Sequence, residues 1–397
     1  MVLGSLCFWV FAQKTKTLPV KKELVSLINN RLEKAAAQYR YFTTQASDTL
    51  FPKTISKDGT LESSKSWWWC SGFYPGTLLY LNENKSDDTL YKKAMHYLGL
   101  LEKEQYNKGT HDLGFMMYCS FGNAQRLWPD KKYQDILVQS AKSLASRYSP
   151  VTGCIRSWNS KNSSDFLVII DNMMNLELLF YAAKVTSDSS FYRIAVSHAD
   201  KTIENHFRPD YSSFHVVNYN SQTGAVKLRR TQQGAADASA WARGQAWGLY
   251  GYTLMYRETR QRKYLDFANR IAEFILNHPH LPKDKVPYWD FDAPGISDAL
   301  RDASAAAVMA SAFTELATYA DENNARKYLD ASEDMLTALS NPPYQNAYKE
   351  NRGFLLKHSV GSLPQNSEVD VPLTYADYYY VEAMMRYKKL AFGKTIF

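Results

Sequence analysis

The sequence predicts an all-α fold, an (α/α)6 barrel of six outer and six inner helices. Three observations carry that prediction. Six segments place apolar residues at helical spacing and charge on the opposite face, the pattern of surface helices. Six others, lying between them, are poor in charge and rich in Gly, Ala, Met and aromatics. A helix that is apolar on most faces is a buried one. Asp112, Asp171, Asp237 and Asp302 open four of these buried segments at intervals of roughly 60 residues, the length of one outer–inner hairpin with its loop.

The outer helices are expected in "VKKELVSLINNRLEKAAAQYRYF", "DTLYKKAMHYLGLLEKEQY", "KYQDILVQSAKSLASRY", "SSFYRIAVSHADKTIENHF", "QRKYLDFANRIAEFILNH" and "ARKYLDASEDMLTALS". The inner helices are expected in "GFYPGTLLYLNE", "HDLGFMMYCSFGNAQRL", "DNMMNLELLFYAAK", "DASAWARGQAWGLYGYTLMYRE", "DASAAAVMASAFTELATYA" and "YADYYYVEAMMRYKK". Short connections make neighbouring helices antiparallel, so all six inner helices start at one end. The long interruptions, 45–71, 148–170, 207–236, 278–301 and 340–373, all precede inner helices and hold much of the Gly, Pro, Ser and Asn. They therefore gather into a mouth at that end. Within them "SSFHVVNYN" and "AVKLRRTQ" alternate as short strands do.

No linker divides the chain of 397 residues, so 19–397 reads as a single barrel domain. Residues 1–18 read as an apolar tail or signal remnant. The run from Val2 to Ala12 is too short to span a bilayer, and Val10-Phe11-Ala12 resembles a signal-peptidase site without the usual basic start. That favours export to a periplasm. Four cysteines with no CxxC pair argue against a zinc site or disulfide framework, and unpaired thiols equally suit the cytoplasm. The net charge of +7 comes from scattered residues. It favours acidic small substrates but offers no basic run for nucleic acid.

The run "FLVIIDNMMNLELLFYAAK", 166–184, sets Asp171 among apolar residues, where an unpaired carboxylate is costly. Asp is a preferred helix cap, which is the plain explanation for one such residue. Asp112 repeats the placement one hairpin earlier. Two carboxylates at neighbouring inner-helix starts are what acid/base chemistry on sugars needs. Asp302 reads as a cap. Asp237 lies in the most distinctive block, "TQQGAADASAWARGQAWGLYGY", where Trp241, Arg243, Gln245 and Trp247 fall within a turn and a half. That clustering fits ring stacking beside a fixed cation, or else a core Trp pair with Arg243 neutralised by Asp237. His215 and Gln233 add polar groups nearby. No HExxH, EF-hand, GxGxxG, GxxxxGK or GxSxG pattern occurs, so no metal, nucleotide or serine-nucleophile site is expected.

Taken together, "WCSGFYPG" (69–76), "HDLGFMMY" (111–118), "IRSW" (155–158), "IDNMMN" (170–175), "WARGQAWGLYGY" (241–252) and "EVDVPLTYADYYYVEAM" (368–384) resemble the unsaturated glucuronyl hydrolases, glycoside hydrolase family 88. The likeness runs from about Trp69 to Tyr387, and "WARGQAWG" is its most specific part. It implies an (α/α)6 barrel with the site in its mouth, Asp171 as general acid/base and Asp112 assisting it on sugar hydroxyls. It also implies a pocket lined by His215, Gln233, Trp241, Arg243 and Trp247, with Trp69 and Trp158 as stacking surface. The implied substrate is an acidic oligosaccharide, made by lyases from heparin, chondroitin or hyaluronan, with a 4,5-unsaturated uronic acid at its non-reducing end. The implied reaction is hydration of the C4–C5 enol ether, needing no cofactor. Two features depart from the family. Ala238 stands where a second Asp is usual, and the Ser359/Ser362 loop, linked in some members to sulfate recognition, carries Pro364 where Lys is expected. A rhamnogalacturonan-type hydrolase, a polysaccharide lyase on the same barrel, or a non-catalytic glycan-binding protein would share the fold.

Overall fold

The computed structural model describes residues 18–397; the signal-remnant reading of the N-terminus lies outside them. Outer helices are α1 Lys22–Gln45, α3 Asp88–Leu101, α5 Lys131–Ala145, α7 Ser189–His206, α9 Arg262–Asn277 and α11 Glu322–Leu339. Inner ones are α2 Phe73–Asn84, α4 Asn123–Leu127, α6 Leu176–Thr186, α8 Ala242–Thr259, α10 Ala303–Ala317 and α12 Thr374–Ala391. Outer and inner helices alternate along the chain, and α12 packs against α2 to close the ring.

Local chemistry explains the starts of four of the six outer helices. Asp87, Asp130, Asp188 and Asp321 cap α3, α5, α7 and α11, each accepting hydrogen bonds from backbone N–H groups in the first turn. Such a cap is worth about 1 kcal/mol. The inner helices are held instead by burial. Every residue of α10, and every residue of α8 from Ala242 to Met255, is buried. Among the described residues no helix is long and apolar enough to cross a membrane.

Two inner elements do not begin as ordinary α-helix. The segment Gly114–Gly122 is π-helical before continuing as α4, and Ile170–Asn175 is a 3-10 turn before α6. Gly114 shows why the two are coupled. A side chain there would come within 2.4 Å of the Asn175 Cα, and the Asn175 Oδ1 accepts from the Phe115 N–H at 3.1 Å. This close approach brings the segments carrying Asp112 and Asp171 together.

The mouth carries the strands. These are β1 Phe51–Ile55 with β2 Leu61–Ser64, β3 Tyr148–Ser149 with β4 Cys154–Ile155, the sheet β5 Asp165–Ile169, β6 Val216–Asn220 and β7 Val226–Arg230, and β8 Ser359–Ser362 with β9 Ser367–Val371. All pairs are antiparallel. The two alternating stretches are β6 and β7, as expected. The apolar run before Asp171 is β5, an edge strand rather than part of the helix.

Candidate active site

The register of β5 on β6 sets the centre of the site. Ile169 pairs with Val216, and one residue further the Ile170 N–H donates to the His215 carbonyl at 3.0 Å. The ladder thus sets Asp171, which lines a cavity of about 480 Å³, beside His215, which is buried behind that lining and, against expectation, does not line it. That volume suits a small ligand. Its walls include Trp69, Trp158, Asp112, Gln233, Arg243 and Ser362.

Asp171 is no helix cap. The cap position of α6 is Asn175, and the cap of the preceding 3-10 turn is Ile169. Its Oδ2 is buried and has no hydrogen-bond partner. Desolvation raises its pKa to about 7, and Asp112 adds to the rise, while Arg243 opposes it. A carboxyl group in that range can give and take a proton near neutral pH.

His215 is prepared from behind. Its Nδ1 accepts from the backbone N–H groups of Gln232 at 3.1 Å and Gln233 at 3.2 Å. The proton of the neutral ring therefore sits on Nε2, which lies 3.7 Å from Asp171 Oδ2. This exceeds a hydrogen bond, and both atoms are buried and unsatisfied. Burial, with Arg243 next in weight, holds the His215 pKa well below its ordinary value. The ring stays neutral.

Asp112 precedes the π-helical segment, where its carboxylate accepts from Thr110 Oγ1 at 2.7 Å and faces His111 Nε2 at 3.4 Å. Gln233 donates to the Gly361 carbonyl at 3.0 Å, which ties the β7 end to β8. Arg243 is buried. It donates to Asp302 at 3.0 Å and to the carbonyls of Val360 and Gly361 at 2.5 and 2.6 Å. Its guanidinium also lies 4.5 Å from the Trp241 ring centre.

Several expectations change here. Asp237 is exposed on the loop before α8, not at a helix start, and accepts from the Thr231 N–H. It does not neutralise Arg243; Asp302 does, while also capping α10 through the Ser304 N–H. Trp247 and Trp241 do not line the cavity. Trp247 is fully buried against Phe115 and Tyr379, because it points from α8 into the ring of inner helices. Its Nε1–H makes no full hydrogen bond, yet lies near enough to Asp171 to lower that pKa. Trp241 packs beneath His215, ring centres 4.6 Å apart. His215 itself is buried, with 3% of its surface exposed. Ser362 reaches the cavity, whereas its strand neighbour Ser359 is buried away from it. Gln245 is structural, accepting from the Ser213 N–H and donating to the Tyr211 carbonyl.

The sequence reading missed Trp68, Arg230, Glu368 and Tyr375, all of which line the cavity. Glu368 and Tyr375 stood in a quoted motif without being singled out. Arg230 ends β7, and among the described residues no carboxylate pairs with it. It donates to the Thr231 carbonyl and Gln232 Oε1 instead.

A larger cavity of about 660 Å³ lies at the C-terminal ends of the inner helices. Its Glu177 is also raised to about 7 by burial. But Glu177 is bonded to Arg257, which also pairs with Glu315, and Arg386 pairs with Glu315 and Glu382. Those charges neutralise one another.

A helical barrel whose mouth holds a neutralisable carboxylate among aromatic walls defines a glycan-processing enzyme of the acid/base type. No family model matches the chain, but individual proteins do. An unsaturated glucuronyl hydrolase of Formosa agariphila is 48% identical over 324 residues, covering 81% of this chain and 80% of that protein. A crystal structure of an unsaturated glucuronyl hydrolase specific for heparin superposes with a TM-score of 0.89 at 45% identity, covering 93% and 100% of the two chains. An unsaturated glucuronyl hydrolase variant from Streptococcus agalactiae, complexed with dGlcA-GalNAc6S, matches at 28% identity and a TM-score of 0.78, covering 96% and 98%. The chain belongs to the unsaturated glucuronyl hydrolase family.

Proposed function

We propose that this chain removes the 4,5-unsaturated uronic acid from the non-reducing end of lyase-generated glycosaminoglycan disaccharides, heparin-type first, with Asp171 as the acid/base. The observation that carries this is the Asp171 carboxyl, raised to about 7 in the mouth cavity, with its Oδ2 lacking a hydrogen-bond partner. Asp171 protonates C4 of the enol ether. The positive charge appears at C5 and is shared with the ring oxygen. A water then adds at C5 and gives its proton to the Asp171 carboxylate, restoring the acid. The resulting hemiketal opens, and the exposed hemiacetal at C1 releases the leaving sugar.

The surrounding groups take supporting parts. His215, buried behind the cavity lining, turns its Nε2–H toward Asp171 Oδ2 and holds that carboxyl in place. Asp112 accepts from sugar hydroxyls and, by its charge, keeps Asp171 protonated. Arg230 and the Arg243 field favour the substrate carboxylate, and Trp69 and Trp158 supply flat apolar surface for the rings. No step draws on a metal or organic cofactor.

The test uses unsaturated disaccharides from heparin and from chondroitin in D₂O. Loss of the alkene absorbance, with one deuterium at C4 of the product, is expected. Disaccharide binding without turnover would make the chain a glycan-binding protein. Turnover with no deuterium at C4 would remove the hydration mechanism.

A further inference from the structure

Among the described residues, one group of three metal-ligating side chains brings its donor atoms within 4.8 Å of one another: His278, His280 and Asp292. It lies outside the cavity and outside the family's motifs. His278 follows directly on α9, and the Leu281 N–H donates back to the His278 carbonyl at 3.0 Å. This tight turn keeps His278 and His280 together, their ring centres 5.2 Å apart. Asp292 comes from the next strap, whose Phe291 ring packs on His278 at 4.8 Å.

The side chains are oriented from behind, as ligands to metals usually are. His280 Nδ1 faces the Phe291 carbonyl at 2.8 Å. It can bond there only as a donor, which leaves Nε2 with its lone pair free. Asp292 uses Oδ2 to accept from the Ala240 N–H at 3.1 Å, which leaves Oδ1 available. His278 is the least committed, since its Nδ1 accepts a long 3.3 Å bond from the His280 N–H, one that a metal would replace.

We propose that His278, His280 and Asp292 form a binding site for a divalent transition metal, with Zn²⁺ as the best fit. Two imidazoles and one carboxylate are a nitrogen-rich set that suits zinc rather than calcium or magnesium. His280 and Asp292 are exposed, so water has access to complete a four-coordinate shell. Zinc bonds of about 2.0–2.1 Å put tetrahedral ligands roughly 3.3 Å apart, so donor atoms within 4.8 Å of one another close by up to about 1.5 Å on loading. The metal acts as a clamp. It ties the turn after α9 to the 290–292 strap, which already accepts the Ala235 N–H and the Ser239 hydroxyl through Asp290 and the Ala240 N–H through Asp292. The bonded segment 235–240 leads directly into α8.

The experiment takes the full chain without a histidine tag, strips it with EDTA, dialyses it and titrates it with ZnCl₂ by calorimetry, with melting curves in parallel. One equivalent should bind and raise the Tm. His280→Asn keeps an amide N–H for the Phe291 carbonyl, and Asp292→Asn keeps an oxygen for the Ala240 N–H. Both should match wild-type Tm in EDTA. Losing one ligand should weaken zinc binding at least about 100-fold, beyond the range typical of second-shell changes, and abolish the zinc-dependent rise in Tm. Wild-type protein that takes up no zinc at millimolar metal overturns the proposal. So does unchanged zinc affinity in both variants.

Discussion

Replacing Asp171 by Asn should stabilise the protein while disabling it. The folded-state pKa is about 7 against an ordinary 3.8. Between those values the folded chain holds a proton that the unfolded chain has released, so stability falls as pH rises. At 1.36 kcal/mol per unit, the carboxyl costs about 2 kcal/mol at pH 5 and about 4 kcal/mol at pH 8. These are upper figures, since 15% of the side chain still faces the cavity. Asn has no charge to desolvate, and its oxygen can accept from the nearby His215 Nε2–H. Wild type should therefore lose up to about 2–3 kcal/mol more than Asp171→Asn between pH 5 and 8, read from urea unfolding at each pH. Glu177 and Asp377, also raised to about 7, add the same slope to both proteins and cancel in the difference. Meanwhile kcat should drop by at least ~10²–10⁴-fold, the usual worth of a general acid/base. Parallel stability–pH curves would refute the buried-acid argument. A folded, fully active variant would refute the role itself.

Three further outcomes follow from the same geometry. The proposed reaction begins with protonated Asp171, so kcat/KM should fall about tenfold per pH unit above roughly 7, and Trp247→Phe, which removes an N–H that lowers that pKa, should move the limb to higher pH; a pH–rate profile for each protein checks both. Trp247→Ala should destabilise by about 3–5 kcal/mol, as for other buried aromatics, rather than chiefly weaken substrate binding; retained stability with a raised KM would place the ring in the cavity after all. Asp302→Ala should cost about 3–5 kcal/mol by leaving the buried Arg243 guanidinium without its carboxylate, and denaturant midpoints near wild type would show that the Val360 and Gly361 carbonyls suffice alone.

The barrel was legible because its cause is periodic. Outer and inner helices differ in composition over whole segments, and the short connections fix the common direction of the inner six. Asp171 stands out for a related reason, because a charge inside an apolar run is conspicuous in one dimension, and Asp112 stands out by repeating its placement one hairpin earlier. Arg230 does not. Read alone it is one more cation on a short strand, and its meaning comes from β5–β6–β7 pairing, which turns the strand end into the cavity wall. Asp237 failed in the opposite way. The repeated "DASA" implied equivalent places, but after Asp302 the helix starts at once, whereas Asp237 is followed by four more loop residues before Ala242. Identical letters took different roles because only one of them met a buried guanidinium.

The aromatic block shows where sequence patterns mislead about chemistry. Trp241, Arg243 and Trp247 resemble a ligand-binding set, yet only Arg243 touches the cavity, and its hydrogen bonds go to Asp302 and β8. In the proposed reaction their effect passes through other groups. Trp241 supports the His215 ring, Arg243 holds the β8 wall and draws the Asp171 pKa down, and Trp247 does the same from the core. Burial pulls the other way. An acid with only the buried surroundings of Asp171 would sit higher, and one with only these donors would sit lower. The value near 7 is the balance of the two, and of the two side chains that lower it only Arg243 reaches the cavity.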